Sequence, residues 1–322
     1  MTIKSVIQGT GSYLPSKVLT NADLEKIVDT SDEWIFQRTG IKQRHVVSEG
    51  ETTSTLAIEA AKRALESSGL NAEDIDGVIV ATTTPDLTFP SVAVHVQEAL
   101  GLPANMAFDI QAVCTGFVYA ISTAHSFLQT GQAKNILVIG AETMSRILDW
   151  TDRTTCVLFG DGAGAIVLSA VEGEKEDRGI ITTHLYADGR KKGILCTSGG
   201  VSKTQDAGMI EMQGRDVFKY AVKLMHDVVD EALSENGYTG ADLDWLVPHQ
   251  ANVRIISATA DKLGLPMEKV VMTVAKHGNT SAASIPLALD QAVRAGQVQR
   301  NQLILLEALG GGLTWGATLL RF

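Results

Sequence analysis

The stretch ALESSGLNAEDID, residues 64–76, returns as ALSENGYTGADLD at residues 232–244, so that position 232 lies 168 positions after position 64. Ala, Leu, Gly and two Asp occupy the same places in both copies. Each copy follows helical periodicity, at about 53–68 and about 214–235, and each runs into an apolar stretch: GVIVATTT (77–84) in the first and WLVPHQAN (245–252) in the second. The match continues further along. TGQAKNILVIGA (130–141) is similar to AGQVQRNQLILLEA (295–308), with Gly131 and Gly296 now 165 positions apart, and GAIVL (164–168) is similar to GATLL (316–320). Three matches in one order point to a duplicated unit. The halves are placed at 1–172 and 173–322.

Each half reads helix, strand, turn, strand, helix, strand, strand. Val78–Val80, Ile136–Ile139 and Leu303–Leu306 are unbroken apolar runs rather than alternating ones. Strands of that kind belong to sheets covered by helices on both faces. The helix expected over 115–129 carries apolar residues all round, from Phe117 to Leu128, so it should be buried. A chain of 322 residues exceeds the length at which one core stops growing, which also favours two units.

The formal charge is −10, from 27 Lys and Arg against 37 Asp and Glu, and no basic run occurs. Nucleic acid and anionic membranes are poor partners for such a chain. No apolar run of 18 residues and no signal-like N-terminus occurs, so a cytoplasmic protein without a membrane span is expected. The three cysteines, Cys114, Cys156 and Cys196, are sparse and lack CxxC spacing, which argues against a disulfide framework or a cysteine-based zinc site; no metal is expected.

Cys114 stands in QAVCTGF (111–117), between a strand-like run and a helix. Applying the 165 offset carries it to Asn279, in KHGNTSAASIP. That asparagine also precedes a helix and follows an apolar run, VVMTV (270–274), read as a strand. Halves packed about a pseudo-two-fold axis would bring Cys114 and Asn279 together. His249 follows the strand Trp245–Val247, which Pro248 interrupts, and strand ends are where α/β folds build sites. A free thiol titrates near 8.5. A helix N-terminus lowers that by about one unit, and burial raises it, so a nearby histidine is a useful helper. Cys156, in TTCVLFGDG, reads as a small buried strand residue, and Cys196 likewise as a packing residue. The glycines of LGGGLTWG (309–316) lie between two apolar strands; they form either a plain hairpin or a turn that offers an amide to an oxyanion.

Together, SDEWIFQRTGI, AVCTGF, GDGAGA, VPHQAN, HGNTSAASIP and GGGLTWGATLLRF resemble the β-ketoacyl-acyl-carrier-protein synthase III family over essentially the whole chain. The resemblance implies a thiolase-like duplicated five-layer αβαβα fold with two mixed sheets, and a homodimer. It implies an acyltransferase that starts fatty-acid synthesis by decarboxylative condensation, with acyl-CoA and malonyl-acyl-carrier protein as substrates and no further cofactor. Cys114 would carry the acyl group. His249 and Asn279 would donate to the developing enolate, and the backbone amides of Cys114 and Gly311 would face the oxyanion. Trp34, Arg38, Arg153, Gly214 and Asn252 correspond to CoA contacts. Lys219, Arg254 and Lys262 correspond to the patch that receives the carrier protein, and Asp261 stands where a second basic residue is common. Phe89 corresponds to a residue reaching into the partner subunit's acyl pocket. Val113, Thr115, Leu309 and Leu313 depart from the usual pattern, which would bear on the primer acyl group.

Other readings stay open at this stage. Elongating synthases carry a second histidine where Asn279 stands, and thiolases need a second catalytic cysteine, yet none follows Cys196. A polyketide-starter acyltransferase, a cysteine hydrolase and a non-catalytic acyl-CoA or carrier-protein binding module are the alternatives.

Overall fold

The unbroken apolar runs become the middle strands of two sheets. A computed structural model describes residues 3–173 and 178–322. Its first sheet takes β1 (Ile3–Tyr13), β2 (Gly77–Ala81), β3 (Met106–Ile110), β4 (Asn135–Thr143) and β5 (Asp161–Glu172), in the order β1-β5-β4-β2-β3. Its second takes β6 (Gly179–Ala187), β7 (Trp245–Pro248), β8 (Leu303–Gly310) and β9 (Thr314–Arg321), in the order β7-β8-β9-β6. The pairings repeat. β2–β4 and β7–β8 are parallel, while β4–β5 and β8–β9 are antiparallel.

Six helices matter for the site: α1 (Asp32–Thr39), α2 (Thr53–Ser68), α3 (Gly116–Gln129), α4 (Gly214–Ser234), α5 (Val253–Lys262) and α6 (Ser284–Arg294). α3 and α6 lie between the sheets. Phe117, Val118 and Ile121 of α3 and Ile285 and Leu289 of α6 share one buried cluster with Val138 of the first sheet and Leu306 of the second. On the outer faces, α2 covers Val80, Ile139 and Val167, while α4 and α5 cover Leu246, Leu305 and Leu319. The layers therefore run αβαβα. Alternate residues of β4 enter different clusters, Ile136 and Val138 inward and Leu137 and Ile139 outward, which is why its sequence does not alternate. Each such side chain removed from water contributes about 2 kcal/mol.

The duplication holds at atomic detail, with an offset of 168. Asp74 Oδ2 accepts from Asn71 N at 2.9 Å, and Asp242 Oδ2 accepts from Thr239 N at 2.8 Å. Asp76 Oδ2 then accepts from Asn135 N at 3.0 Å, and Asp244 Oδ2 from Leu303 N at 2.7 Å, each tying the start of a parallel neighbour. The 165 offset is confined to the turns after the central helices, because α3 has 14 residues and α6 has 11. It does not apply at Cys114. Val113, at φ 50°, and Ser281, at φ 49°, each open the short 3-10 turn that leads into α3 or α6. The positional counterpart of Cys114 is thus Ala282, and Asn279 stands three residues before it.

Three local expectations need correction. Residues 270–274 do not form a strand. Val270 makes a single parallel bridge with Leu246, and the Gln250 side chain captures the next backbone donors, Thr273 N at 2.8 Å and Val274 N at 3.0 Å. The counterpart of β3 is thereby reduced to one bridge. Cys156 lies in a run of turns rather than a strand, because Asp152 accepts from Thr154 N at 2.9 Å and from Cys156 N at 3.0 Å. It is fully buried all the same. Pro248 ends β7 rather than interrupting it; it still pairs with Glu307.

Candidate active site

The site lies where both halves end their central helices at one cavity. This cavity, about 570 Å³, is lined by Cys114, His249 and Asn279. Cys114 sits in the 3-10 turn Val113–Thr115 at the head of α3 and is 3% exposed. His249 follows β7, and its amide donates to Glu307 O at 2.8 Å, so the adjoining strand fixes its backbone. Asn279 is gripped on both sides by the 158–160 segment: its N–H donates to Leu158 O, and its carbonyl accepts from Gly160 N, each at 2.9 Å.

The side chains are oriented by their neighbours. Asn279 Oδ1 accepts from Ser281 N at 2.9 Å, which leaves the amide N–H₂ as its donor. His249 Nδ1 lies 2.7 Å from Ser284 Oγ, and Ser284 Oγ also accepts from Gln250 N at 3.3 Å. The Ser284 hydroxyl has no other acceptor among the described residues, so it donates to Nδ1. The other ring nitrogen, Nε2, then carries the hydrogen. Burial pushes His249 down to about 3, and it stays neutral through the physiological range. The imidazole is built as a hydrogen-bond donor. It does not serve as the helper base that the sequence suggested for the thiol.

Burial pushes the Cys114 thiol up to about 12. Ser281, which opens the counterpart turn of the other half, donates from Oγ to Glu142 Oε1 at 3.0 Å. Glu142, at the end of β4, is fully buried; its Oε2 accepts from Thr84 Oγ1 at 2.6 Å, Thr83 N at 3.0 Å, and Thr82 Oγ1 and Thr84 N, both at 3.2 Å. Sequence reasoning missed Glu142, Ser281 and Ser284. The signal for the first was a lone acid at the end of an apolar run, IGAET (139–143); the serines sit in a motif already singled out.

The expected CoA contacts reach the same cavity. Trp34, Arg38, Arg153, Gly214 and Asn252 all line it. Ser31 caps α1, which carries Trp34 and Arg38, by accepting from Trp34 N at 3.1 Å. Both arginines stack on the indole: the guanidinium of Arg38 lies 4.4 Å from its ring centroid and that of Arg153 5.1 Å. Gly214 opens α4. Asn252 caps α5 through Oδ1, which accepts from Ile255 N at 3.0 Å.

The remaining candidates are more scattered. Arg254 lines the cavity from an exposed position, while Lys219 and Lys262 are exposed and lie off it. Leu309 lines it. Val113 and Thr115 do not: Thr115 is fully buried and its hydroxyl donates to Thr314 O at 3.0 Å, away from any acyl chain in this cavity. Leu313 is buried beside Leu309 in the same apolar cluster. Phe89 is 82% exposed and takes no part in the cavity of its own chain. Gly311 is buried in the β8–β9 hairpin. A Cβ added there would lie 3.5 Å from Val113 Cγ2, and one added at Gly310 would lie 2.8 Å from Cys114 N, so this hairpin presses on the cysteine's turn.

Elsewhere, ligand atoms of His184, Glu231 and Glu235 lie within 4.8 Å of one another. The two carboxylates face different ring nitrogens across helix and strand, each at 3.8 Å. Among the described residues no helix is long and apolar enough to cross a membrane.

A duplicated αβαβα fold that brings a buried cysteine, a neutral histidine and an asparagine to one cavity defines a condensing enzyme of the thiolase-like class. Family models described as 3-oxoacyl-[acyl-carrier-protein] synthase III match residues 108–189 and, for its C-terminal part, 233–322. The chain is 60% identical to β-ketoacyl-[acyl-carrier-protein] synthase III of Xanthomonas euvesicatoria, with 99% of each chain covered. It is 60% identical to the protein of that name from Rhodospirillum centenum, with 100% of each covered. The crystal structure of 3-oxoacyl-[acyl-carrier-protein] synthase III from Aquifex aeolicus superposes with a TM-score of 0.94 at 51% identity, covering 99% of this chain and 100% of that one. The chain belongs to the β-ketoacyl-[acyl-carrier-protein] synthase III family and is an enzyme.

Proposed function

We propose that Cys114 takes an acyl group from acyl-CoA as a thioester, releases CoA, and passes the acyl group to the carbanion left when malonyl-acyl-carrier protein loses CO₂. The product is a β-ketoacyl-carrier protein, and the reaction begins fatty-acid synthesis. The observation that carries this reading is the shared cavity of Cys114, His249 and Asn279, in which the two donors are neutral and preset.

Decarboxylation places negative charge on the malonyl thioester oxygen. The His249 Nε2–H and the Asn279 amide N–H₂ are the donors for it, held in advance by Ser284 and by the Ser281 amide. Donors fixed before the charge develops need no reorganisation, and each such donor typically contributes about 100- to 1000-fold. A neutral imidazole suits this role because it supplies a hydrogen bond without holding the malonyl carboxylate, which must depart. The acyl-enzyme divides one difficult bond formation into two steps. Its own oxyanion would rest against the amides of Cys114 and Gly311.

CoA enters along Trp34, Arg38, Arg153, Gly214 and Asn252. Adenine stacks on the indole after Arg153 moves outward, and Arg38 faces the phosphates. The carrier protein, which is acidic, docks where Arg254, Lys219 and Lys262 offer positive charge on a chain of net charge −10. The enzyme acts in the cytoplasm as a homodimer. In that assembly the exposed Phe89 closes the partner's acyl pocket, against which Leu309 lies.

The test is sequential. The protein is mixed with acetyl-, isobutyryl- and octanoyl-CoA, and the Cys114 peptide is weighed; malonyl-carrier protein is then added and CO₂ and the β-ketoacyl product are followed. Cys114→Ala abolishes acylation. His249→Ala and Asn279→Ala still acylate but fail to decarboxylate. Normal condensation by both variants would sink the assigned roles, and labelling without condensation would favour an acyltransferase or hydrolase.

A further inference from the structure

Asn279 is a donor to the cavity only while its side-chain amide points one way. Its Oδ1 must be occupied so that the N–H₂ group is left for the developing charge, and the Ser281 backbone N–H occupies it at 2.9 Å. Ser281 opens its 3-10 turn at φ 49°, a left-handed conformation uncommon outside glycine and asparagine. A residue with a side chain stays there when its surroundings over-determine it. Within the turn, Ala283 N donates to Thr280 O at 3.0 Å. From outside the turn the hold is a side chain: Ser281 Oγ donates to Glu142 Oε1 at 3.0 Å. Two printed bonds thus connect Glu142 to the amide of Asn279, with Ser281 supplying its hydroxyl to one and its backbone N–H to the other.

We propose that Glu142 is a positioning residue for the condensation: through the Ser281 hydroxyl it fixes the turn whose amide aims Asn279 at the malonyl thioester oxygen. This rests on the reading of Asn279 as a donor to the enolate. Glu142 suits the part of a fixed post. It lies on β4 opposite Gly162 of β5 and is fully buried. Its Oε2 is occupied by four donors from Thr82, Thr83 and Thr84, and its Oε1 is left to Ser281. The two threonine hydroxyls are themselves set as donors, because Thr82 Oγ1 accepts from Thr84 N at 3.1 Å and Thr84 Oγ1 from Thr143 N at 2.8 Å. Hydrogen bonds to a carboxylate are roughly twice as strong as neutral ones, so five of them leave this side chain little freedom. Neither Glu142 nor Ser281 lines the cavity, and neither exchanges a proton with substrate. Their effect therefore falls on the step in which charge develops at Asn279, decarboxylation, and spares thioester formation at Cys114.

The experiment uses the full chain, acetyl-CoA and malonyl-carrier protein, and measures the two half-reactions separately in single turnovers. Ser281→Ala removes the tether and leaves every Oε2 donor of Glu142 in place. Its expected result is a fall of about ten- to 100-fold in decarboxylation by the acetylated enzyme, somewhat less than the loss of a whole donor, with acetylation of Cys114 close to wild type. Glu142→Ala gives the same selective loss; if it fails to fold, Ser281→Ala decides. Glu142→Gln recovers most of the rate, because its oxygen can keep the threonine donors while its amide donates to Ser281 Oγ, preserving the tether with the roles reversed. Wild-type decarboxylation by Ser281→Ala overturns the positioning, and so do equal losses in both half-reactions, which a merely structural defect would give. A Glu142→Gln variant no better than Glu142→Ala overturns it as well. Wild-type decarboxylation by Asn279→Ala would overturn the reading of Asn279 and the positioning with it, whereas a loss in Asn279→Ala beside an unimpaired Ser281→Ala overturns the positioning alone.

Discussion

His249 Nδ1 lies 2.7 Å from Ser284 Oγ, and the pair joins the end of β7 to the first turn of α6. One hydroxyl thus sets which nitrogen of the ring carries the hydrogen. Replacing Ser284 with Ala removes that setting without touching the cavity lining. The expected outcome is a malonyl decarboxylation rate at least tenfold lower, with acylation of Cys114 close to wild type. Single-turnover measurements of the two half-reactions check it, and an equal loss in both would refute the tautomer role.

Trp34 carries two guanidinium groups, Arg38 at 4.4 Å and Arg153 at 5.1 Å. Stacking of a base on an aromatic ring contributes about 1–3 kcal/mol. Trp34→Ala should therefore raise KM for acyl-CoA about tenfold or more and leave kcat largely unchanged, the pattern of lost uniform binding. The same variant should treat a short acyl thioester without a nucleotide as the wild type does. Steady-state kinetics with the two donors separates the cases.

Gly140 has no space for a side chain. A Cβ there would lie 2.3 Å from Ala282 O and 2.8 Å from Ala282 C, both backbone atoms of the turn that follows Asn279. Gly140→Ala must push that turn aside, and overpacking of this kind costs about 3 kcal/mol. Gly189, whose added Cβ would meet nothing within 4 Å, is the control. Urea denaturation of both variants is the measurement: a loss for Gly140→Ala no larger than that for Gly189→Ala would contradict the packing.

Glu307 is fully buried on β8, neither of its side-chain oxygens has a partner among the described residues, and burial pushes its carboxyl up to about 8. The sign follows from its folded value lying above its unfolded one, near 4.3. The associated stability is complete below about pH 4.3 and is lost progressively as pH rises toward about 8. Glu307→Gln removes this titration. Its melting temperature relative to wild type should therefore rise between pH 5 and pH 8, and a difference independent of pH would show that Glu307 does not titrate across this range.

Much of the fold was legible because it rests on local patterns. The capping boxes at Asn71–Asp74 and Thr239–Asp242, the strand-tying Asp76 and Asp244, and the buried runs of β4 and β8 all follow from residue type and spacing. Strand 270–274 was not legible, since what ends it is a side chain twenty positions upstream, Gln250. The turns around Cys156 were set by Asp152 in competition with an apolar run.

By itself the sequence determined the duplication and the two doubly covered sheets, because periodicity and repeated motifs survive in one dimension; the offset that singled out Asn279 belongs to the turns after the central helices, and the counterpart of Cys114 is Ala282. Tertiary structure decided the charge states. Cys114 and His249 are shifted by burial, and burial belongs to the assembled layers. It also decided what meets at the cysteine's turn. Only the stacking of two halves across α3 and α6 brings Gly116 against Ala282 and sets Ser281 Oγ 3.0 Å from Glu142 Oε1.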